Sequence, residues 1–293
     1  MSSAQGGYYL PQPSHWPLVG SLGLFLTTGG FAWALGTGSE PIGTLAVMYI
    51  GFAVLAFMMI GWFGTVIRES ESGAYNAQVD RSFRMGMGWF IFSEVMFFGA
   101  FFGALFYVRV FANSWLGGTS DNAAMNLTHD WLYPAYKAAW PTTGPGSKET
   151  IEALNPWGLP AINTALLLAS SVTVTIAHHA LRAGHRAKLN LWLLITVILG
   201  ITFLCVQAYE YTHLYHEGIK LTSGSYGSTF FMLTGFHGLH VTIGATILTV
   251  IWFRCLKGHF KPEHHFAFEA AAWYWHFVDV VWLGLFIFVY WLV

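Results

Sequence analysis

Charged residues are scarce in this chain. They make up 9% of its 293 residues, where a soluble domain carries about 25%. The 13 basic and 14 acidic side chains leave a net charge of -1, so there is no basic stripe with which to neutralise phosphates, and nucleic acid is excluded as a partner. Cysteine is nearly absent. Cys205 and Cys255 both sit in or beside apolar runs, which excludes a disulfide scaffold and a thiolate metal site. The opening MSSAQGGYYLPQPSHW lacks the basic segment of a cleavable signal peptide. It reads as a polar cytoplasmic tail, residues 1–16, leading into a first span.

Apolar and aromatic side chains fill the rest, 55% and 18% of the chain. Runs of about 18 or more apolar residues are long enough to cross a bilayer. They predict seven transmembrane helices near 17–37, 43–67, 85–111, 158–181, 190–214, 227–253 and 267–292. The fold class is therefore all-α, a polytopic membrane protein. Several runs end in Trp or Tyr, as an interfacial belt requires.

The basic residues orient the chain. Arg68, Arg81 and Arg84, then Arg182, Arg186 and Lys188, then Arg254, Lys257 and Lys261 all fall on one side of alternating crossings. The other side receives only Arg109, Lys137, Lys148 and Lys220. The positive-inside rule makes the first side cytoplasmic, with the N-terminus inside and the C-terminus outside. The long loop at about 112–157 is then external. The polar stretch RESESGAYNAQVDRSFR at 68–84 divides a two-helix unit, residues 17–75, from a five-helix unit, residues 76–293.

Against this apolar background the polar residues within or near spans are conspicuous: Glu94, Asn163, His178, His179, Glu210, His213, His237, His240, His276 and Asp279. Glu94 lies about 13 Å into its run at 1.5 Å per residue, near the middle of the hydrocarbon. Ionisable groups at such depth are functional suspects. His237 and His240 are spaced i,i+3, as are His276 and Asp279, so each pair shares a helix face. Interhelical hydrogen bonding is the simplest role for all four. A membrane di-iron oxygenase would need histidines converging at one depth, but His178, His179, His185, His259, His264 and His265 lie near one face and His237 and His240 far deeper. A transporter would be expected to show matching broken helices in two halves, and seven spans do not divide evenly.

Taken in order, several stretches resemble subunit III of the cytochrome c oxidases. They are HWPLVG at 15–20, VIRES at 66–70, RMGMGWFIFSEVMFF at 84–98, LPAINTALLLASSVTVTIAHHAL at 159–181, YGSTFFMLTGFHGLHVTIGATIL at 226–248, HHFAFEAAAWYWHFVDVVWL at 264–283 and the terminal YW at 290–291. The resemblance implies a two-helix unit set in a V against a five-helix unit, with phospholipids in the cleft. It implies a non-catalytic core subunit of the proton-pumping respiratory complex that reduces oxygen to water. Such a subunit holds no haem and no metal of its own. It packs on subunit I, which carries haems and copper, in a complex whose subunit II takes electrons from cytochrome c. Its roles are support of proton uptake and of stability during turnover.

Carried over by residue, the resemblance makes Glu94 the buried carboxyl linked to proton uptake, read as protonated and hydrogen-bonded. It makes Trp62, Arg68, Glu69 and Arg254 lipid-binding, and guanidinium forks at a membrane interface suit lipid phosphate. The segment SESGAYNAQ after Arg68–Glu69 lacks a histidine that many family members carry there. The external loop is longer than in mitochondrial relatives, which points to a bacterial inner-membrane protein. The related ubiquinol oxidases have a shorter subunit III without the first two helices, and both are present here.

Overall fold

Among the described residues of the computed structural model, seven helices are long and apolar enough to cross a membrane. The structure describes residues 12–37, 41–146, 151 and 153–293. The tail up to residue 11 and Lys148 lie outside the described residues. The helices are α1 (Trp16–Thr37), α2 (Pro41–Glu71), α3 (Ala77–Phe106), the short α4 (Asn113–Leu116) and α5 (Leu127–Leu132), then α6 (Leu159–Arg182), α7 (Arg186–His216), α8 (Gly224–Leu256) and α9 (Phe266–Leu285). A π-helical turn, Tyr107–Ala112, carries α3 on into α4 as one span, Ala77–Leu116. A second, Phe286–Trp291, extends α9. Among the described residues the only β pairing is an isolated bridge between Lys261 and His264.

Two compact units divide the chain, Met1–Phe83 and Arg84–Val293. The first is a helical hairpin held by close backbone approach. A methyl group on Gly51 would sit 2.4 Å from the Thr27 backbone nitrogen, and one on Gly30 would sit 2.5 Å from that of Met48. Small residues at such crossings are how helices associate where lipid removes the hydrophobic drive. Trp16 caps the open end by donating from its indole N–H to the Thr65 hydroxyl at 3.2 Å.

The second unit is built around α9, whose most apolar window is 56% buried within the chain, against 6% for α2. Its AAAWYWHFVDVVW run places Trp275 and Trp282 with no surface exposed. Trp275 wedges against α7 and α8 where each offers a glycine. A methyl group on Gly200 or on Gly244 would meet its ring at 2.7 or 2.9 Å. Its indole N–H donates to the Ser170 hydroxyl on α6 at 2.9 Å, so one side chain touches three neighbouring helices. α6 and α7 form a tight pair, with a Thr173–Thr196 hydroxyl contact of 2.8 Å buried in their seam. The α3 segment within this unit closes on α9 through the Arg84–Glu269 ion pair at 2.6 Å, with the Arg84 guanidinium 5.3 Å above the Phe266 ring.

The connection between the α3 span and α6 is ordered by its own polar residues. Asn113 donates to the Ala139 carbonyl at 2.9 Å and accepts from the Tyr136 hydroxyl at 2.7 Å. Arg109 donates to the Leu292 carbonyl and lies over the Trp140 ring, so this loop is fastened to the end of the last helix.

Candidate functional site

The carboxyl of Glu94, on α3, lies 2.9 Å from His240 Nε2, on α8. The other imidazole nitrogen, His240 Nδ1, lies 2.7 Å from the Phe236 carbonyl one turn back. A carbonyl oxygen only accepts, so Nδ1 carries a proton. One further proton is then shared between Nε2 and the Glu94 carboxyl. The pair is either glutamic acid with neutral imidazole or carboxylate with imidazolium. Both forms have zero net charge, which is what a low-dielectric site tolerates.

Aromatic rings enclose this pair. Phe98 lies 4.9 Å and Phe97 5.8 Å from the His240 ring, between centroids, and Tyr274 is stacked on it at 6.5 Å. The histidine side chain is 10% exposed and that of the glutamate 21%. The i,i+3 spacing of FHGLH turns its two histidines to different neighbours. His240 meets α3, while His237 packs its ring against Phe203 at 5.7 Å and Trp282 at 5.2 Å. His237 is fully buried, and neither ring nitrogen has a hydrogen-bond partner among the described residues.

His276 and Asp279 turn the same face of α9 to α6. Ser171 Oγ lies 2.6 Å from His276 Nδ1, and Thr175 Oγ1 lies 3.4 Å from Nε2. Asp279 lies one turn further along the same helix, its Oδ1 buried and without a hydrogen-bond partner among the described residues.

The residues carried over for lipid binding divide between the two units. In the first, Trp62 is 48% exposed, its ring stacked on Phe63 at 5.9 Å. Arg68 donates to the Thr65 hydroxyl at 3.1 Å, and Glu69 accepts from Tyr75 at 2.8 Å. In the second, Arg254 is only 9% exposed, with its guanidinium 4.5 Å over the Phe260 ring. Arg68 thus offers a donor surface at its helix end, and Arg254 is largely covered by its own chain.

Among the described residues no group of three or more His, Cys, Asp or Glu side chains is placed to hold a metal ion. The nearest approach of histidines is His178 to His265, with ring centroids 5.2 Å apart. The Arg84–Glu269 pair has no signal in the sequence, where Arg84 reads as a topogenic charge alone. Nor does the sequence single out Ser171, whose place in an apolar run of α6 gives no sign of its contact with His276 on α9.

The family described as cytochrome c oxidase subunit III matches residues 6–293. Cytochrome c oxidase subunit 3 of Lemur catta is 41% identical over 292 residues, covering 99% of this chain and 94% of the relative. That of Bos mutus grunniens is 42% identical over 292 residues and that of Raphicerus campestris 43% over 292, each with 99% of both chains covered. A match that spans the chain at this identity, on a fold with seven membrane-length helices, leaves one assignment: the chain belongs to the cytochrome c oxidase subunit III family.

Proposed function

We propose that this chain works as a non-catalytic core subunit of cytochrome c oxidase, shaping the surroundings of redox centres carried by neighbouring subunits. The family match over residues 6–293 carries this reading. Three features of the chain support it. Its polar groups pair between helices, as in Glu94–His240 and His276–Ser171. The two-helix N-terminal unit favours the cytochrome c enzyme over the ubiquinol oxidases. Many large apolar side chains of α1, α2 and α3 face outward, among them Phe25, Ile60, Trp89 and Met96. Those surfaces suit lipid and the apolar flank of a partner such as subunit I.

In this reading Glu94 acts at a distance. Its proton is shared with His240 in an aromatic pocket, and it influences proton uptake or lipid packing next to the partner without carrying protons across the bilayer itself. Phospholipid headgroups are assigned to Trp62, Arg68 and Glu69 in the first unit and to Arg254 in the second. The chain is multi-pass, and the nine-to-four division of basic residues supports an N-terminus on the cytoplasmic face and a C-terminus on the periplasmic face. The bacterial inner membrane is inferred from the external loop; the relatives compared are mammalian.

Copurification tests the proposal. A tagged chain expressed in its native membrane is expected to bring down haem-bearing partners, and the chain isolated from them to show no haem spectrum and no stoichiometric copper or iron. Recovery of the chain alone, or of a tightly bound metal on the isolated chain, would overturn it.

A further inference from the structure

Six side-chain atoms stand out in the five-helix unit. Asn163 Nδ2 and Oδ1, Gln207 Nε2 and Oε1, and His237 Nδ1 and Nε2 are all buried with no hydrogen-bond partner among the described residues. The three residues are 0%, 5% and 0% exposed. They come from three helices, α6, α7 and α8. Buried amides and imidazoles are nearly always hydrogen-bonded, to protein or to ordered water. Here each of three side chains lacks a partner for both of its polar atoms.

Helix register puts the three side chains at one depth. Thr173 on α6 and Thr196 on α7 touch through their hydroxyls at 2.8 Å. Asn163 lies ten residues from the first and Gln207 eleven from the second, both towards the long-loop end, about 15 and 16.5 Å along at 1.5 Å per residue. The second register mark is the contact of the Tyr211 and Thr234 hydroxyls at 2.7 Å. From it, Gln207 lies four residues along α7 and His237 three along α8, both away from that end, about 6 and 4.5 Å.

Trp282 of α9 ties the three helices together at this level. Its indole N–H donates to Thr164, next to Asn163, at 2.9 Å. Its ring lies 4.8 Å from Phe203, one turn from Gln207, and 5.2 Å from His237 itself, between centroids. Each of the three residues thus lies at, beside or within one turn of a contact to the same indole.

We propose that Asn163, Gln207 and His237 form a buried hydration site that holds ordered water inside the five-helix unit. The chemistry of the three side chains selects this ligand. Two amides and a neutral imidazole offer donors and acceptors in mixed orientation and carry no charge to balance an ion. Water, with two donors and two acceptors, satisfies such a set. At roughly three hydrogen bonds for each buried water, six atoms are served by about two molecules. The polar lining continues outward. Glu210 lies one turn beyond Gln207, accepting from Tyr290 at a long 3.3 Å. The buried Tyr226 hydroxyl, itself without a partner among the described residues, is within electrostatic reach of Glu210. Water exchanging with the site thus meets polar groups on the long-loop side.

The inference concerns the five-helix unit alone and stands or falls independently of the assignment to an oxidase. A map of the intact complex at a resolution that shows ordered water is the test. The expected result is a water oxygen about 2.7–3.2 Å from polar atoms of at least two of the three side chains. Direct pairing of the amides and the imidazole with one another, with no solvent density between them, would overturn the proposal. Infrared spectra provide a second readout. The difference between wild type and Gln207→Leu is expected to hold an O–H stretching band that shifts in ¹⁸O-water. Absence of any such band in a folded Gln207→Leu complex would also overturn it.

Discussion

His240 and Glu94 stand 146 residues apart in sequence and 2.9 Å apart in space, and the Phe236 carbonyl 2.7 Å from Nδ1 leaves them one proton to share. Two opposite charges in an aromatic pocket would each lose hydration. The neutral form, glutamic acid donating to imidazole, avoids that loss.

An infrared difference spectrum between wild type and Glu94→Gln is therefore expected to contain a protonated carboxyl C=O band assigned to Glu94. If no such band is found, the pair is carboxylate and imidazolium.

Replacing Glu94 should separate bonding from charge. Glu94→Gln keeps a partner for His240 Nε2 and should leave the stability of the complex nearly unchanged. Glu94→Leu leaves that nitrogen buried and unpaired, a loss of about 1–3 kcal/mol, read as a lower melting midpoint. Equal midpoints for the two variants would show that the hydrogen bond contributes nothing.

The glycines of the α1–α2 hairpin should sort by their neighbours. Gly51→Ala would put a methyl group 2.4 Å from the Thr27 backbone, and overpacking of this kind destabilises by about 1–3 kcal/mol. Gly29→Ala meets nothing within 4 Å among the described residues and should be silent. Protease sensitivity of the hairpin in membranes distinguishes them, and equal behaviour would contradict the close approach.

The ion pair between Arg84 and Glu269 is partly exposed, its side chains 36% and 18% accessible. Screening by solvent limits its contribution to about 0.2–1 kcal/mol. A double-mutant cycle with Arg84→Gln and Glu269→Gln should return a coupling of that size that shrinks with salt. A coupling indifferent to salt would mean that the contact acts through packing.

For the lipid assignment, Arg68→Ala and Arg254→Ala are expected to differ. Arg68 has guanidinium surface to offer, whereas Arg254 is tucked over Phe260. Phospholipid counted in the purified complex should fall more for Arg68→Ala. Unchanged lipid retention in the double variant would remove both from the site.

Hydropathy located all seven long helices because lipid imposes the same requirement on every span, an unbroken apolar run with its backbone bonds satisfied internally. It located their ends less well. α3 starts at Ala77, eight residues before the apolar run, because AQVDRSFR is helical although it is not lipid-like. The π-turn at Tyr107–Ala112 that carries the span on to Leu116 has no signature in composition. Among site residues, Glu94 and His240 could each be singled out as polar atoms in apolar helices. Their partnership could not, since it depends on how α3 and α8 meet. Ser171, Gln207 and Trp282 escaped notice for the same reason: each looks ordinary along its own helix and matters only through its neighbours.

The glycine contacts of the first hairpin have a consequence for biosynthesis. Because α1 and α2 meet each other at backbone distance, the first two spans themselves supply a complementary surface for pairing. The pair can close as soon as both have left the insertion machinery, while the remaining five spans are still being translated. Loss or slow arrival of the later helices would then strand a folded hairpin in the membrane, and would leave no tangle of unpaired segments.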